Sequence, residues 1–119
     1  MNYKMIVTDL DDTLLNSEKK ISSIDKEAIM KAQKAGIKFI LASGRPTFAM
    51  KELAEELNLA DYGSYILSFN GSIITNCSTG KNILEESLTK KDLHLMYDFS
   101  QKYKTHILTY INDEIISET

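Results

Sequence analysis

MIVTDLDDTLL, residues 5–15, determines how we expect the chain to fold. The apolar run from Met5 to Val7 has the length and the β-branched content of a strand that is buried on both faces. Three carboxylates follow within four positions, at Asp9, Asp11 and Asp12. Carboxylates at the end of a buried strand repel one another and resist desolvation, so they persist where a cation or a reacting group uses them. We therefore expect a functional site at this end of the strand, the edge where open α/β sheets bind ligands.

Asp9 and Asp11 form the candidate pair in this segment. Side chains alternate along an extended backbone, so both carboxylates are expected to point the same way while Leu10 points into the core. An acidic turn or a helix cap is the simpler interpretation of Asp12. A turn requires neither the two-residue spacing of the pair nor a buried strand before it. We therefore assign chemistry to Asp9 and Asp11 and a local structural role to Asp12.

The composition argues against several classes of protein. The chain has 119 residues, of which 43% are hydrophobic, enough for one compact domain or for part of a larger one. A net charge of −3 and a pI near 5.4 argue against nucleic acid as a partner. The single cysteine, Cys77, excludes an internal disulfide and fits a reducing compartment. The sequence shows no signal peptide and no membrane-spanning run, so we expect a cytoplasmic protein without a membrane partner.

Alternating strands and helices are predicted as far as residue 71. Ser22 and Asp25 have the spacing of a capping box, Gly36 is a natural helix stop, and Pro46 is placed to start a second helix. The predicted strands are residues 5–7, 37–42 and 65–69. The first helix is predicted to turn these residues toward the core: Ile24, Ala28, Ile29, Ala32 and Ala35. The second helix is predicted to do the same with Met50, Leu53, Ala54 and Leu57. This order predicts a partial doubly wound, Rossmann-like parallel α/β sheet.

The pattern changes after Gly71. Two short extended segments around Gly80 predict an antiparallel hairpin, and Thr89 with Asp92 predicts the capped start of a third helix. A second hairpin is expected to turn at residues 112–113. The predicted hairpin strands are residues 72–76 with 82–86 and residues 105–111 with 114–117. Together they indicate an inserted α+β module, and we divide the chain into a core part, residues 1–80, and an incomplete module, residues 81–119.

Ser43-Gly44-Arg45-Pro46 follows the second predicted strand, which we expect to lie beside the first. The Ser43 hydroxyl and the nearby amides would then approach the Asp9 and Asp11 edge, and Gly44 lets the backbone come close to a ligand. A helix that begins at Pro46 would favour an anion at its amino end. Taken alone, this tetrapeptide is most often a strand-to-helix turn. Its position relative to Asp9 makes it a candidate phosphate cradle.

Three segments resemble one known family. Asp9-Leu10-Asp11-Asp12-Thr13-Leu14-Leu15 is similar to the first motif of the haloacid dehalogenase superfamily of aspartate-nucleophile phosphohydrolases. Leu41 to Pro46 resembles its second motif, and Phe69 to Ser72 resembles the segment that leaves the core for the cap in the Cof-like subgroup with type IIB caps. The resemblance extends from residue 3 to the end of the chain. It implies that residues 81–119 are the beginning of a cap.

The resemblance also implies roles for individual residues. Asp9 would be the nucleophile that forms an aspartyl-phosphate, and Asp11 the general acid and base. Both would bind Mg²⁺, Asp9 through its carboxylate and Asp11 through its backbone carbonyl. The amides around Leu10 and Gly44 and the Ser43 hydroxyl would hold the phosphoryl oxygens. The implied reaction is Mg²⁺-dependent hydrolysis of small phosphorylated metabolites such as sugar phosphates.

The sequence departs from the family pattern in one respect. Relatives place a lysine and a later acidic cluster beyond the cap insertion, and neither is found here. We therefore expect a truncated form, or a remainder on another polypeptide, and a chain that is catalytically weak or dead alone. A sheet without its later strands would expose an edge and apolar surface, which predicts self-association.

Three other functions remain open at this point. The same aspartyl-phosphate could be transferred to a sugar hydroxyl, as in the phosphotransferases and phosphomutases of the superfamily. A receiver-like module could use the acidic site to bind Mg²⁺ and be phosphorylated, although receivers place their acidic pair and phospho-acceptor on different strands. A fragment that keeps the fold could serve binding or assembly without catalysis.

Overall fold

The computed structural model describes residues 2–118. The chain forms two compact units, one ending at Glu85 and the other beginning at Glu86. The predicted domain boundary between residues 80 and 81 lies within a hairpin of the first unit. The assignment of the later residues to a cap stays a prediction.

The first unit contains a five-stranded sheet in the order β1-β2-β3-β4-β5. The strands are β1 (Met5–Thr8), β2 (Lys38–Ala42), β3 (Tyr65–Ser68), β4 (Ile73–Asn76) and β5 (Asn82–Glu85). β1, β2 and β3 are parallel, whereas β4 and β5 are antiparallel to their neighbours. The predicted partial α/β sheet and the predicted pairing of the first two strands are confirmed. The carboxyl ends of β1 and β2 therefore meet at one edge of the sheet.

Two helices connect the parallel strands, and the sequence signals for their ends are confirmed. α1 (Ser23–Lys34) is capped by the Ser22 hydroxyl, which accepts a hydrogen bond from the Asp25 amide at 3.1 Å. It ends in a Schellman motif at Gly36, whose φ is +88°. α2 (Lys51–Glu56) follows a 3₁₀ turn, Thr47–Met50, that begins directly after Pro46.

The core of the first unit is one cluster of apolar side chains. Its members are Leu10, Leu14, Leu15, Ile21, Ile29, Phe39, Leu41, Met50, Ala54, Leu57, Leu59 and Ile66. The predicted inner face of the second helix is confirmed, with Leu53 packed at its margin. In α1 the prediction is largely wrong, because Ile24 is 79% exposed and the buried pair is Ile29 and Gln33. Ile24 lies about 140° around the helix from Ile29, on a different face.

β1 is an edge strand, and the prediction that it is buried on both faces is wrong. It pairs with β2 alone, and Met5, Ile6 and Val7 are 52%, 39% and 53% exposed. Burial of a strand depends on its neighbours in the sheet, and no strand covers the outer edge of β1 among residues 2–118. The strand is apolar in sequence but exposed in the structure. Its outer edge therefore has the composition of a surface that another strand or another chain would cover.

The hairpin of β4 and β5 extends the core sheet. We predicted it as part of the inserted module, but β4 pairs with β3 along its whole length. Gly80 provides the positive φ, +69°, that the connection between the two strands requires. The hairpin therefore belongs with the parallel strands in the first compact unit.

The second unit consists of α3 (Lys90–Tyr103) and a hairpin of β6 (Leu108–Ile111) and β7 (Glu114–Ser117). Thr89 and Asp92 form the predicted capping box at the start of α3. Asn112 and Asp113 both have positive φ, as a two-residue type I′ turn requires. Many apolar side chains of this unit are exposed, including Phe99 and Ile115. No helix among the described residues has the length and apolar character needed to cross a bilayer.

We predict that Gln33→Ala destabilises the first unit by about 1–2 kcal/mol. The buried Gln33 side chain donates from Nε2 to the Leu57 carbonyl at 2.8 Å, and its loss leaves that carbonyl without this donor. Loss of Gln33 Oε1, a buried acceptor without a partner in the described chain, offsets part of the cost. Urea unfolding gives the free energy of unfolding, and Lys34→Ala, on the exposed side of the same helix, is the matched control. Equal stabilities of the two variants would contradict the prediction.

Candidate active site

The chain turns sharply after β1 and places two carboxylates on either side of a buried leucine. Asp9 is extended, with φ −74° and ψ 162°, and Leu10 is fully buried. The turn is closed by hydrogen bonds from the Leu14 amide to the Asp9 carbonyl, at 3.3 Å, and from the Leu15 amide to the Leu10 carbonyl, at 2.9 Å. Asp12 has a φ of +59°, which Asp tolerates in turns. Burial of Leu10 therefore anchors the segment that carries Asp9 and Asp11.

Asp11 is held by two cations. Arg45 donates from Nε to Oδ2 at 2.9 Å and from Nη2 to Oδ1 at 2.7 Å, a bidentate pair. Lys19 donates to Oδ1 at 3.3 Å. The hydrogen bonds from Arg45, with a smaller contribution from Lys19, lower the pKa of Asp11 to about 2. Asp11 is therefore a carboxylate at neutral pH in this arrangement.

Ser43 lies at the end of β2 and makes hydrogen bonds through its amide, its carbonyl and its hydroxyl. Its amide donates to the Leu67 carbonyl at 3.0 Å, and its carbonyl accepts from the Asn70 amide at 3.1 Å. Its hydroxyl oxygen accepts from the Arg45 amide at 3.1 Å. The hydroxyl acts as the acceptor in that bond, so its own proton is available for donation to a ligand.

Gly44 is exposed and lies against Asn70. A Cβ at position 44 would stand 3.0 Å from the Asn70 Oδ1, so a glycine fits where any other residue would press on the Asn70 side chain. Within the described chain, the Gly44 amide donates to no protein acceptor. An exposed amide next to a serine hydroxyl is a suitable donor set for an oxyanion.

The segment after β3 supports this turn, a role that we did not predict for it. Phe69, Asn70 and Gly71 all have positive φ, at +48°, +56° and +89°. Positive φ is unfavourable for a residue as bulky as Phe69, so the surrounding structure must impose it. The Phe69 amide donates to the Arg45 carbonyl at 2.9 Å, and Asn70 bonds to Ser43 as described. The Asn70-Gly71 pair is typical of positive φ, but the sequence does not indicate that this loop forms hydrogen bonds to the turn after β2.

The structure brings most of the predicted site residues together. Asp11, Ser43 and Gly44 are joined through Arg45, which contacts Asp11 by its side chain and Ser43 by its amide. The Asp9 carboxylate is exposed and has no hydrogen-bond partner among residues 2–118. Leu10 holds the turn in place through its buried side chain. The chemical roles that the resemblance implies for these residues stay predictions.

Arg45 makes a contact that the sequence did not predict. It lies in the predicted turn and is the only arginine in the chain. A lone arginine in a predicted anion-binding turn, one strand away from two carboxylates, was the available signal. Lys19 gave no comparable signal, because it lies among other polar residues of a surface loop.

The residues present offer oxygen atoms of the kind that bind a magnesium ion. Oxygen ligands are what Mg²⁺ prefers, and it is commonly bound through one or two carboxylates together with substrate phosphate and water. The Asp9 carboxylate is unpaired in the described chain, and the Asp11 backbone carbonyl is two residues away in sequence. The Asp11 side-chain oxygens are engaged by Arg45 and Lys19. Within residues 2–118, no group of three His, Cys, Asp or Glu side chains could hold a metal.

Comparisons with known proteins show the family of the chain. A family model described as haloacid dehalogenase-like hydrolase matches residues 6–119. The chain is 34% identical over 107 residues to the 5-amino-6-(5-phospho-D-ribitylamino)uracil phosphatase YcsE of Bacillus subtilis (strain 168), covering 89% of this chain and 41% of that protein. It is 32% identical over 115 residues to YwtE, a phosphatase named for the same compound in the same organism, covering 96% of this chain and 38% of that protein.

A solved structure shows the same fold. A haloacid dehalogenase-like hydrolase from Bacteroides thetaiotaomicron superposes with a TM-score of 0.87 and 41% identity, covering 99% of this chain and 44% of that chain. The chain spans about two fifths of the length of the curated relatives that it matches.

We predict that Gly44→Ala weakens the binding of inorganic phosphate about tenfold, by crowding the amide donors, while it changes stability by less than about 1 kcal/mol. The stability change is small because the exposed Asn70 side chain can move away. Phosphate titrations followed by amide NMR shifts measure the affinity, and urea unfolding measures the stability. The double variant Gly44→Ala/Asn70→Gly removes the crowding by Asn70. Full recovery of phosphate affinity in that variant would contradict a direct effect of the methyl group on the ligand.

Proposed function

The chain belongs to the haloacid dehalogenase-like hydrolases, and on this premise we propose that it supplies the nucleophile and the phosphate-binding turns of a phosphatase. The observation that carries the proposal is the bidentate contact between Asp11 and Arg45. This contact links the acidic turn after β1 to the turn that carries Ser43 and Gly44. A carboxylate nucleophile and donors for a phosphoryl group then lie at one edge of the sheet, as phosphoryl transfer requires.

In the proposed first step, Asp9 attacks the phosphorus of a phosphate monoester. A bond forms between an Asp9 oxygen and phosphorus while the bond to the ester oxygen breaks. The departing oxygen takes a proton from Asp11, which is a carboxylate in the free chain and must take up that proton from solvent when the ester binds. In the second step, a water oxygen attacks phosphorus, Asp11 accepts a proton from that water, and the bond to Asp9 breaks. The products are an alcohol and free phosphate, with both aspartates returned to their starting forms.

The turn after β2 would hold the phosphoryl oxygens during both steps. The Ser43 hydroxyl keeps a proton to donate, the Gly44 amide has no protein acceptor in the described chain, and the Leu10 amide lies in the acidic turn. Donors fixed in advance by hydrogen bonds lose little entropy when charge develops on the oxygens. Asp9 and Asp11 would hold Mg²⁺, which supplies the positive charge that lets a carboxylate approach a phosphate dianion.

We propose small phosphorylated metabolites, such as sugar phosphates, as substrates. The names of two relatives specify a phosphate carried on a ribityl chain, which is a polyol phosphate monoester. We place the reaction in the cytoplasm, in keeping with a single cysteine, Cys77. Partial burial raises the pKa of its thiol to about 11, so the thiol is uncharged at neutral pH.

We predict that this chain, with MgCl₂, binds beryllium trifluoride at Asp9 but does not hydrolyse an aryl phosphate above background. Beryllium trifluoride bonds to an aspartate oxygen as a stable mimic of a phosphoryl group, so it reports on the nucleophile without requiring turnover. Asp9→Asn is expected to abolish the ¹⁹F NMR signal of the bound species. Asp12→Asn, in the same turn, is expected to keep it. A signal that persists in Asp9→Asn would refute the assignment of the nucleophile.

Hydrolysis by the chain alone would refute a different part of the proposal. Mg²⁺-dependent release of free phosphate that disappears in Asp9→Asn would show that these residues suffice for catalysis. It would support the phosphatase assignment and contradict the proposed inactivity of the chain alone.

We further propose that two copies of the chain associate through the outer edge of β1. This edge has unpaired backbone groups, and its three apolar side chains are exposed. An antiparallel pairing of two such edges about a twofold axis would satisfy the backbone groups and bury the apolar ones.

Val7→Lys is predicted to weaken this association at least about tenfold, because burial of one valine side chain contributes about 1.5–3 kcal/mol. Val7 is 53% exposed on the edge strand, and a lysine there would oppose pairing by charge. Sedimentation equilibrium measures the dissociation constant. Ile24→Lys, at an exposed position on α1, is the matched control. A monomeric wild-type chain, or equal effects of the two variants, would be incompatible with association through β1.

A further inference from the structure

Arg45 has more hydrogen-bonding capacity than its contact with Asp11 uses. The contact engages Nε and Nη2, which leaves both N–H groups of Nη1 without a protein acceptor in the described part of the chain. The side chain is 30% exposed, so a ligand in the site can reach it. The guanidinium therefore holds Asp11 and still presents donors outward.

The backbone of Arg45 is held by two hydrogen bonds, whereas its side chain is held by Asp11. Its amide donates to the Ser43 hydroxyl at 3.1 Å, and its carbonyl accepts from the Phe69 amide at 2.9 Å. We therefore expect any adjustment on ligand binding in the side chain. Arg45 directly follows Gly44 in sequence and bonds to Ser43 through its amide, so it belongs to the same turn as the two donors assigned to the phosphoryl group.

Asp11 cannot act as a general acid while Arg45 and Lys19 hold it as a carboxylate. Oδ1 accepts from Nη2 and from Lys19, and Oδ2 accepts from Nε and keeps one lone pair. Uptake of a proton by Asp11 weakens its attraction for the guanidinium. A guanidinium N–H group released from Asp11 when a substrate binds then needs another acceptor.

We propose that Arg45 is a phosphate-binding residue of this site, held by Asp11 in the free chain and shared with the phosphate of a monoester when one binds. This inference rests on the proposed function and extends it by one residue. A phosphate dianion offers oxygens that match the planar guanidinium in pairs, and it competes directly with the Asp11 carboxylate. Substrate binding thus frees an Asp11 oxygen for proton transfer. A purely structural Arg45 would join the two turns and stay on Asp11 throughout.

The test follows Arg45 directly, because it is the only arginine in the sequence and gives a single Nε–H signal in a ¹H–¹⁵N NMR spectrum. Inorganic phosphate is titrated into the chain in metal-free buffer. We expect the Arg45 signal to shift with the same concentration dependence as the Gly44 amide. Arg45→Gln should weaken phosphate binding about tenfold, and Arg45→Lys should recover part of the loss because charge returns without the paired geometry. Lys34→Gln, which removes one positive charge from α1, should leave the affinity within twofold of the wild-type value.

A double-variant comparison tests the competition. Asp11→Asn replaces the rival carboxylate with a neutral amide and should raise phosphate affinity several-fold. This gain should be smaller in the Arg45→Gln background, where only the lost repulsion between Asp11 and phosphate remains. A Gly44 shift without an Arg45 shift, or an unchanged affinity in Arg45→Gln, would overturn the inference and leave the proposed function standing. An Asp11→Asn gain that is equally large without Arg45 would also overturn it. An absence of shifts at both Gly44 and Arg45 at saturating phosphate would overturn the inference together with the phosphate-binding role of the turn.

Discussion

The pairing of a guanidinium with a carboxylate is the interaction on which the candidate site depends. Backbone pairing between β1 and β2 stops at Thr8 and Leu41. Beyond those residues, the hydrogen bonds that join the two turns within residues 2–118 come from side chains, chiefly from Arg45 to Asp11. Like charges at the end of a strand repel, and Arg45 offsets that repulsion while it orients one of the carboxylates. The same side chain therefore stabilises the acidic turn and defines its distance from the donors around Ser43.

A second constraint comes from the sheet. The first unit buries one apolar cluster, but β1 contributes no side chain to the cluster and remains at the edge of the sheet. The site thus lies at the carboxyl end of a strand that is covered on one side only. Asp11 and Arg45 keep 40% and 30% of their side-chain surface exposed, which screens their attraction more than full burial would. Hydrogen bonds therefore determine the geometry of the site more than burial by the surrounding protein does.

Local features of the fold were predictable from sequence because their causes are local. The cap at Ser22, the Schellman turn at Gly36 and the turn at residues 112–113 each depend on residues within one helical turn or one hairpin. The exposure of β1 and of Ile24 was not predictable, since burial depends on which elements lie alongside. The hairpin β4–β5 was misassigned for the same reason, because its strand pattern does not specify its partner.

The candidate site was predictable to a similar extent. Asp9, Asp11, Ser43 and Gly44 follow from motif spacing and from the edge where parallel strands end. The contact of Arg45 with Asp11 spans 34 positions and requires knowledge of the side-chain rotamers, which no local pattern contains. The support that Phe69 and Asn70 give to the turn is also long range. Their positive φ values are imposed by hydrogen bonds to Ser43 and Arg45, and these exist only once β2 and β3 are paired.

The two aspartates are alike in sequence and unlike in surroundings, and this difference supports the division of labour proposed for them. Asp11 accepts three hydrogen bonds from cationic side chains, whereas the Asp9 carboxylate accepts none from residues 2–118. A nucleophile that must approach phosphorus benefits from an unengaged oxygen, whereas a carboxylate that accepts three hydrogen bonds from cationic side chains is a weaker nucleophile. If the two roles were exchanged, the carboxylate that is hydrogen-bonded to Arg45 and Lys19 would have to attack phosphorus. The asymmetry around buried Leu10 therefore favours Asp9 as the attacking group and Asp11 as its helper.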